Sequence, residues 1–93
     1  MIEVAAETAV VTSAMTLSSA KALLAEGARV LAGPVTAFDL GGVTEVDSSG
    51  LAVVFGWLRE AQRQGKTVRI INLPGSLSSL AEVYGVSDLL PRG

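Results

Sequence analysis

The sequence predicts a small α/β domain, with a sheet of four or five strands and helices packed mainly on one face. Short runs of β-branched and aliphatic residues alternate with segments whose apolar residues recur at helical spacing. In the second half of the chain, the order is strand, helix, strand, and a crossover of that length implies parallel strands. With 93 residues, the chain has room for one hydrophobic core, so we expect a single domain over 1–93.

The amino-acid composition argues against several classes of function. Hydrophobic residues make up 49% of the chain and charged residues 17%, which hints that another protein covers part of the surface. The net charge is −2 with scattered basic residues, and this is not the pattern of a nucleic-acid-binding surface. Cysteine and histidine are absent, which removes thiol nucleophiles, imidazole metal sites and the commonest general base. No apolar run reaches the ~18 residues needed to span a bilayer, and the first residues lack the pattern of a secretory signal. We therefore expect a cytoplasmic protein that is not an enzyme, has no cofactor and does not insert into a membrane.

The first third of the chain predicts two strands and a helix. The strands fall at about 2–6 and 9–13, and Thr16 is placed to cap a helix over about 17–31. Gly33-Pro34 ends that helix. Its apolar residues at helical spacing are Leu17, Ala20, Leu24, Ala28 and Leu31.

The remainder predicts two further strands and two further helices, ending in one short helical turn. In chain order these are a strand over 35–40, the turn Gly41-Gly42, a helix over about 49–64, a strand over 67–72, a helix opened by Pro74-Gly75-Ser76 and capped by Gly85, and a turn over 87–90. The expected buried residues are Leu51, Val54, Phe55, Leu58 and Ala61 on the second helix, and Leu77, Leu80, Ala81 and Tyr84 on the third.

The most informative stretch is Val46-Asp47-Ser48-Ser49-Gly50-Leu51. It places hydroxyl groups at the start of the second helix, where backbone N–H groups and the helix dipole favour negative charge. One interpretation is a helix N-cap formed by Asp47 or Ser48, with Gly50 allowing close packing. The other is a regulatory serine, because a phosphate on Ser48 would gain from the dipole yet repel the nearby carboxylates.

A second feature is the composition of the helix face opposite the predicted core stripe, on which Trp57, Val53 and Gly56 lie beside Glu60 and Gln64. One interpretation is that Trp57 is partly buried at the sheet edge. The other is an outward patch in which Trp57 anchors a partner, because tryptophan is enriched in interface hot spots. Gly56 would then let the partner approach the helix backbone.

Three carboxylates, Asp39, Glu45 and Asp47, are expected around one corner. Such a group can bind a divalent cation or act as an acid/base pair. No nucleophile paired with a base, no glycine-rich phosphate loop and no metal-ligand spacing accompanies them, so we expect neither a catalytic residue nor a metal site.

The chain resembles the STAS domain family of anti-sigma factor antagonists and sulfate-transporter domains. The resemblance is carried by Phe38-Asp39-Leu40, by 43–51, by Gln64-Gly65-Lys66 with the strand to Asn72, and by the helix 77–85. Within the family it is more similar to the MlaB branch, through 47–52, 61–65, 80–86 and 89–92. The resemblance implies the fold of the antagonist SpoIIAA and a non-catalytic subunit that binds and activates the ATPase of an ABC transporter for phospholipids, peripheral to the inner membrane.

The resemblance also assigns site residues. Ser48 occupies the position of the phosphoserine of the antagonists and of an important threonine in MlaB. Asp47 matches the acidic residue before that position, and Gly50 matches the glycine that lets the helix start tightly. Together with the outward patch of the second helix, this gives the expected partner-binding surface, whose residues are Asp47, Ser48, Ser49, Gly50, Val53, Gly56 and Trp57. The alternative function is an anti-sigma factor antagonist controlled by phosphorylation of Ser48 by an anti-sigma kinase. A third option is a scaffold that binds a small anion or nucleotide at this helix end.

Overall fold

The computed structural model describes residues 1–91, so residues 92–93 of the expected domain lie outside the described part. The described residues form a mixed sheet and helices joined by short loops. In chain order the elements are β1 (Ile2–Ala5), β2 (Thr8–Val11), α1 (Leu17–Leu31), β3 (Ala37–Asp39), α2 (Ser48–Arg63), β4 (Arg69–Ile71), α3 (Gly75–Val83) and a 3-10 helix (Ser87–Leu89). This sequence of elements confirms the predicted α/β class.

The sheet has the strand order β1-β2-β3-β4, with β1 antiparallel to β2 and the other neighbours parallel. Ala9, Phe38 and Ile70 are register partners across three strands, and all three are buried. The adjacent set of partners, on the other face, is only half-buried. Because register partners lie on the same face of a sheet, one face carries the helices and the core.

The helix ends follow the sequence signals. Thr16 is the N-cap of α1 and its backbone N–H donates to Ser19 Oγ at 3.1 Å. Lys66 Nζ donates to the carbonyl oxygen of Leu31 at 2.6 Å, at the carboxyl end of α1. Gly65 and Gly85 follow α2 and α3 with φ values of 73° and 71°, the left-handed conformation that glycine adopts without a steric cost.

The buried face of α1 differs from the expected one. Its buried residues are Leu23, Gly27, Val30 and Leu31, whereas Leu17 is 76% and Leu24 39% exposed. The prediction was therefore wrong for Leu17 and Leu24, whereas Leu31 is buried as expected and Ala20 packs against the core. α1 is apolar over a wide arc, and the part of that arc that becomes buried is decided by contact with α2.

Tyr84 is also placed differently, being 58% exposed instead of buried. α3 ends at Val83, and Tyr84 is its C-cap, so the tyrosine lies at the end of the helix, where the chain turns at Gly85. Leu77 and Ala81 are buried as expected, and Leu80 is partly buried against the core.

Candidate functional site

The start of α2 is held by a single carboxylate that also holds the start of α1. Asp47 is the N-cap of α2, and its Oδ1 accepts a hydrogen bond from the backbone N–H of Ser49 at 2.8 Å. Its Oδ2 accepts from the backbone N–H of Leu17, the first residue of α1, at 3.0 Å. One side chain thus satisfies an otherwise unpaired donor on each of two helices. We call this arrangement the two-helix corner, formed by residues 15–18 and 45–50.

The backbone of the two-helix corner is fixed by strand-like pairing. Met15 and Val46 form a parallel bridge, and the N–H of Met15 donates to the carbonyl of Glu45 at 2.9 Å. The N–H of Asp47 in turn donates to the carbonyl of Met15 at 3.2 Å. A Cβ added at Gly50 would lie 2.5 Å from that same Met15 oxygen, so the two chain segments approach this closely because position 50 has no side chain.

Ser48 is the first residue of α2 and is exposed, whereas Ser49 is half-buried and Gly50 is buried. Leu17 is exposed on the neighbouring segment of the same corner. Hydrogen bonds from the N–H groups of Leu17 and Ser49 lower the pKa of Asp47, with the bond from Leu17 the largest cause. The corner therefore presents a hydroxyl and an apolar side chain around a carboxylate that stays ionised.

Two of the three acidic residues expected around one corner, Asp39 and Asp47, have separate structural roles. Asp39 Oδ1 accepts from Asn72 Nδ2 at 3.0 Å and from the N–H of Gly41 at 2.8 Å, and these bonds lower its pKa. Both oxygens of Asp47 serve helix N–H groups. Within residues 1–91, no three acidic side chains are grouped to hold a metal ion. Asp39 and Asp47 thus each stabilise the backbone around them.

The expectation that Val53 and Trp57 face outward is wrong. Both side chains are only 1% exposed. The Trp57 ring stacks on Phe38 of β3, with centroids 4.3 Å apart and planes at 6°, and its Nε1 donates to the carbonyl of Leu23 in α1 at 2.9 Å. Trp57 therefore joins the sheet to both helices, and neither it nor Val53 offers a surface to a partner.

Gly56 is close to another helix, but that helix is α1 of the same chain. A Cβ at Gly56 would lie 2.4 Å from Leu24 Cδ2, so the glycine accommodates Leu24. The reciprocal contact is at Gly27 of α1, where a Cβ would lie 2.0 Å from Trp57 Nε1. Each helix thus places a large side chain over a glycine of the other, which explains why the predicted outward face is buried.

Sequence reasoning missed a groove on the other side of α2. Phe55 and Leu58, predicted to be core, are only partly buried. They line a groove of about 300 Å³ together with Arg59, Gln62, Val86 and Leu89. The sequence did contain a signal for this groove, because the apolar residues of α2 cover an arc too wide to be buried by a single neighbouring element. We call this feature the α2 groove.

Solved structures of other proteins share this fold. Solved structures with the same fold include a candidate anti-sigma factor antagonist from Thermotoga maritima, with a TM-score of 0.77 at 10% identity, covering 99% of this chain and 83% of that one. The phosphorylated form of the Bacillus cell-fate determinant SpoIIAA matches with a TM-score of 0.67 at 19% identity, covering 100% and 89%. At these identities the likeness establishes the fold, which is that of STAS domains.

The chain belongs to the STAS domain family, because the family model described as "Mlab, STAS domain" matches residues 3–91. Curated relatives include two proteins named intermembrane phospholipid transport system binding protein MlaB. The Haemophilus influenzae protein is 37% identical over 54 residues, covering 58% of this chain and 51% of the relative. The Escherichia coli protein is 34% identical over 59 residues, covering 62% and 61%. The match thus spans about half to three-fifths of these relatives.

Among residues 1–91, no helix is both long enough and apolar enough to cross a bilayer.

Proposed function

We propose that this chain is a non-catalytic subunit that binds and regulates the cytosolic ATPase of an ABC transporter for phospholipids, of the type that maintains outer-membrane lipid asymmetry. The names of the MlaB relatives support the transport system. The observation that carries the docking proposal is the two-helix corner, where Ser48 and Leu17 are exposed on a backbone fixed by Asp47. The proposed location is cytoplasmic, peripheral to the inner membrane through the ATPase.

The corner suits protein binding better than chemistry. Asp47 is engaged with two helix N–H groups, so its carboxylate serves to hold the starts of α1 and α2. A hydroxyl beside an exposed leucine on a rigid backbone can make one directional bond and one apolar contact at little entropic cost. By binding the active conformation of the ATPase more tightly than its inactive one, the subunit would shift that equilibrium.

The proposal is tested by the affinity of the purified chain for its cognate ATPase. Ser48→Glu adds a charge beside Asp47, and we expect it to weaken binding at least tenfold and to reduce stimulation of ATP hydrolysis in parallel. Ser76→Glu is the matched control, because Ser76 is exposed in the first turn of α3, and it should bind as the wild type does. Equal affinity of the wild type and Ser48→Glu would contradict docking through this corner.

The alternative is an anti-sigma factor antagonist. Its support is the exposure of Ser48 at a helix start together with the fold of SpoIIAA, which is known in a phosphorylated form. Incubation with a cognate anti-sigma kinase and ATP would add about 80 Da, the mass of a phosphoryl group, to the wild type and not to Ser48→Ala. If the mass is unchanged, the alternative is excluded.

A further inference from the structure

The α2 groove is built from about two turns of α2, from Phe55 to Gln62, and from the segment that follows α3. Phe55 and Leu58 form one wall, and Val86 and Leu89 form the other. Leu89 is 65% exposed, although the next residue, Leu90, is 7% exposed and belongs to the core. Burying a large apolar side chain such as Leu89 lowers the free energy, and in the chain alone that gain is not made. The groove therefore has apolar surface that a ligand could cover.

The wall formed by the C-terminal segment is fastened on both sides of Leu89. The N–H of Val86 donates to the carbonyl of Ala81 in α3 at 2.9 Å. Beyond Leu89, the N–H of Ile70 in β4 donates to the carbonyl of Pro91 at 2.9 Å. The groove is therefore formed before any ligand arrives, which lowers the ordering cost of binding.

The charge of the groove identifies the chemistry of the occupant. Arg59 is the charged residue of the lining, and no acidic residue lines the groove. The neighbouring Arg63 is paired with Glu60, and Arg29 is paired with Glu26. Among residues 1–91, no carboxylate lies within 4 Å of the Arg59 guanidinium. An apolar floor beside an unpaired cation is complementary to apolar side chains accompanied by a carboxylate.

We propose that the α2 groove binds an amphipathic segment of the partner protein, with its apolar side chains between α2 and the 3-10 helix and a carboxylate on Arg59. A volume of about 300 Å³ is at the small end for pockets that enclose a small molecule, and it suits side chains that project from a segment. The inference rests on the proposed function, since it takes the ATPase as the partner, and it adds a second contact surface separate from the two-helix corner.

The test compares groove variants with surface controls for affinity toward the cognate ATPase, by calorimetry at low and high salt. We expect Leu89→Asp and Arg59→Glu each to weaken binding at least tenfold. Val4→Asp and Arg69→Glu are the controls, because Val4 is 50% exposed on β1 and Arg69 is exposed on β4, and both should bind within twofold of wild type. Arg59→Gln should also reduce the salt dependence of the affinity. Unchanged far-ultraviolet circular dichroism checks that each variant is folded.

The outcomes separate this inference from the proposed function. If the wild type binds and the groove variants bind equally well, the groove proposal is overturned while docking through Ser48 stands. If the wild type forms a dimer that Leu89→Asp dissociates in light scattering, the occupant is a second copy and the proposal is overturned.

If the wild type does not bind the ATPase at all, the proposed function fails, and the probe becomes 8-anilinonaphthalene-1-sulfonate, an apolar anion. The groove chemistry is then supported by fluorescence that Leu89→Asp and Arg59→Glu abolish and Val4→Asp retains. Any other pattern overturns it.

Discussion

Replacing Gly27 with alanine tests the packing of α1 on α2, because helix propensity and packing predict opposite signs. Alanine in the interior of an exposed helix is favoured over glycine by about 1 kcal/mol. At position 27, however, the new Cβ would lie 2.0 Å from Trp57 Nε1 and 2.4 Å from its Cδ1. The indole is held between Phe38 and the carbonyl of Leu23, so it cannot move without losing contacts.

The size of the effect follows from those contacts. Overpacking a core costs about 1–3 kcal/mol, losing the hydrogen bond to Leu23 about 1 kcal/mol, and disturbing the aromatic stack about 0.5–1.5 kcal/mol. After the gain in helix propensity is subtracted, Gly27→Ala should lower the free energy of unfolding by roughly 1.5–4.5 kcal/mol. That is a large share of the roughly 5–14 kcal/mol expected for a domain of this size.

The assay is denaturant unfolding, with Trp57 fluorescence and circular dichroism as probes, since Trp57 is the one tryptophan in the sequence. Gly75→Ala is the matched control, because a Cβ there meets nothing within 4 Å, and its stability should be unchanged or slightly raised. In the Trp57→Leu background the cost of Gly27→Ala should shrink, since the two residues are in contact. A Gly27→Ala variant as stable as the wild type would refute this account of the packing.

Two further predictions concern the two-helix corner. Gly50→Ala should lower the free energy of unfolding by about 1–3 kcal/mol and weaken ATPase binding, because the Cβ would lie 2.5 Å from the backbone oxygen of Met15. Unfolding and affinity measurements on the same variant check this prediction. An unaltered affinity for the ATPase would contradict it. The pKa of Asp47 is lowered chiefly by the N–H of Leu17, so its stabilisation is present above the unfolded pKa of about 3.9 and is lost as pH falls through the folded pKa. Asp47→Ala should therefore be less stable than wild type at pH 7, with the difference shrinking toward pH 2–3; a pH-independent difference would argue against the ionised bridge.

The sequence predicted the local structure of the corner well, because capping and turn chemistry depend on residues near one another in the chain. Asp47 was one of two candidate caps for α2, and it is the cap. Gly50 was expected to permit close packing, and it does so against Met15. What could not be predicted is that the second oxygen of Asp47 holds Leu17, 30 residues earlier, since that bond depends on how the two helices are placed on the sheet.

The sequence by itself determined the α/β class, the order of the elements, the parallel pairing of β3 with β4, and the helix-ending glycines, because these follow from periodicity and short-range sterics. Only the tertiary structure decided which arcs of α1 and α2 are buried. A helical pattern in the sequence gives the angles between side chains around the helix, but not which of them meet a neighbouring element. Because α2 packs against both the sheet and α1, it buries a wider arc than the single stripe that the pattern predicted. The glycines at 27 and 56 let the two helices approach, which moves Trp57 from the predicted partner surface into the core and leaves Phe55 and Leu58 to line the groove.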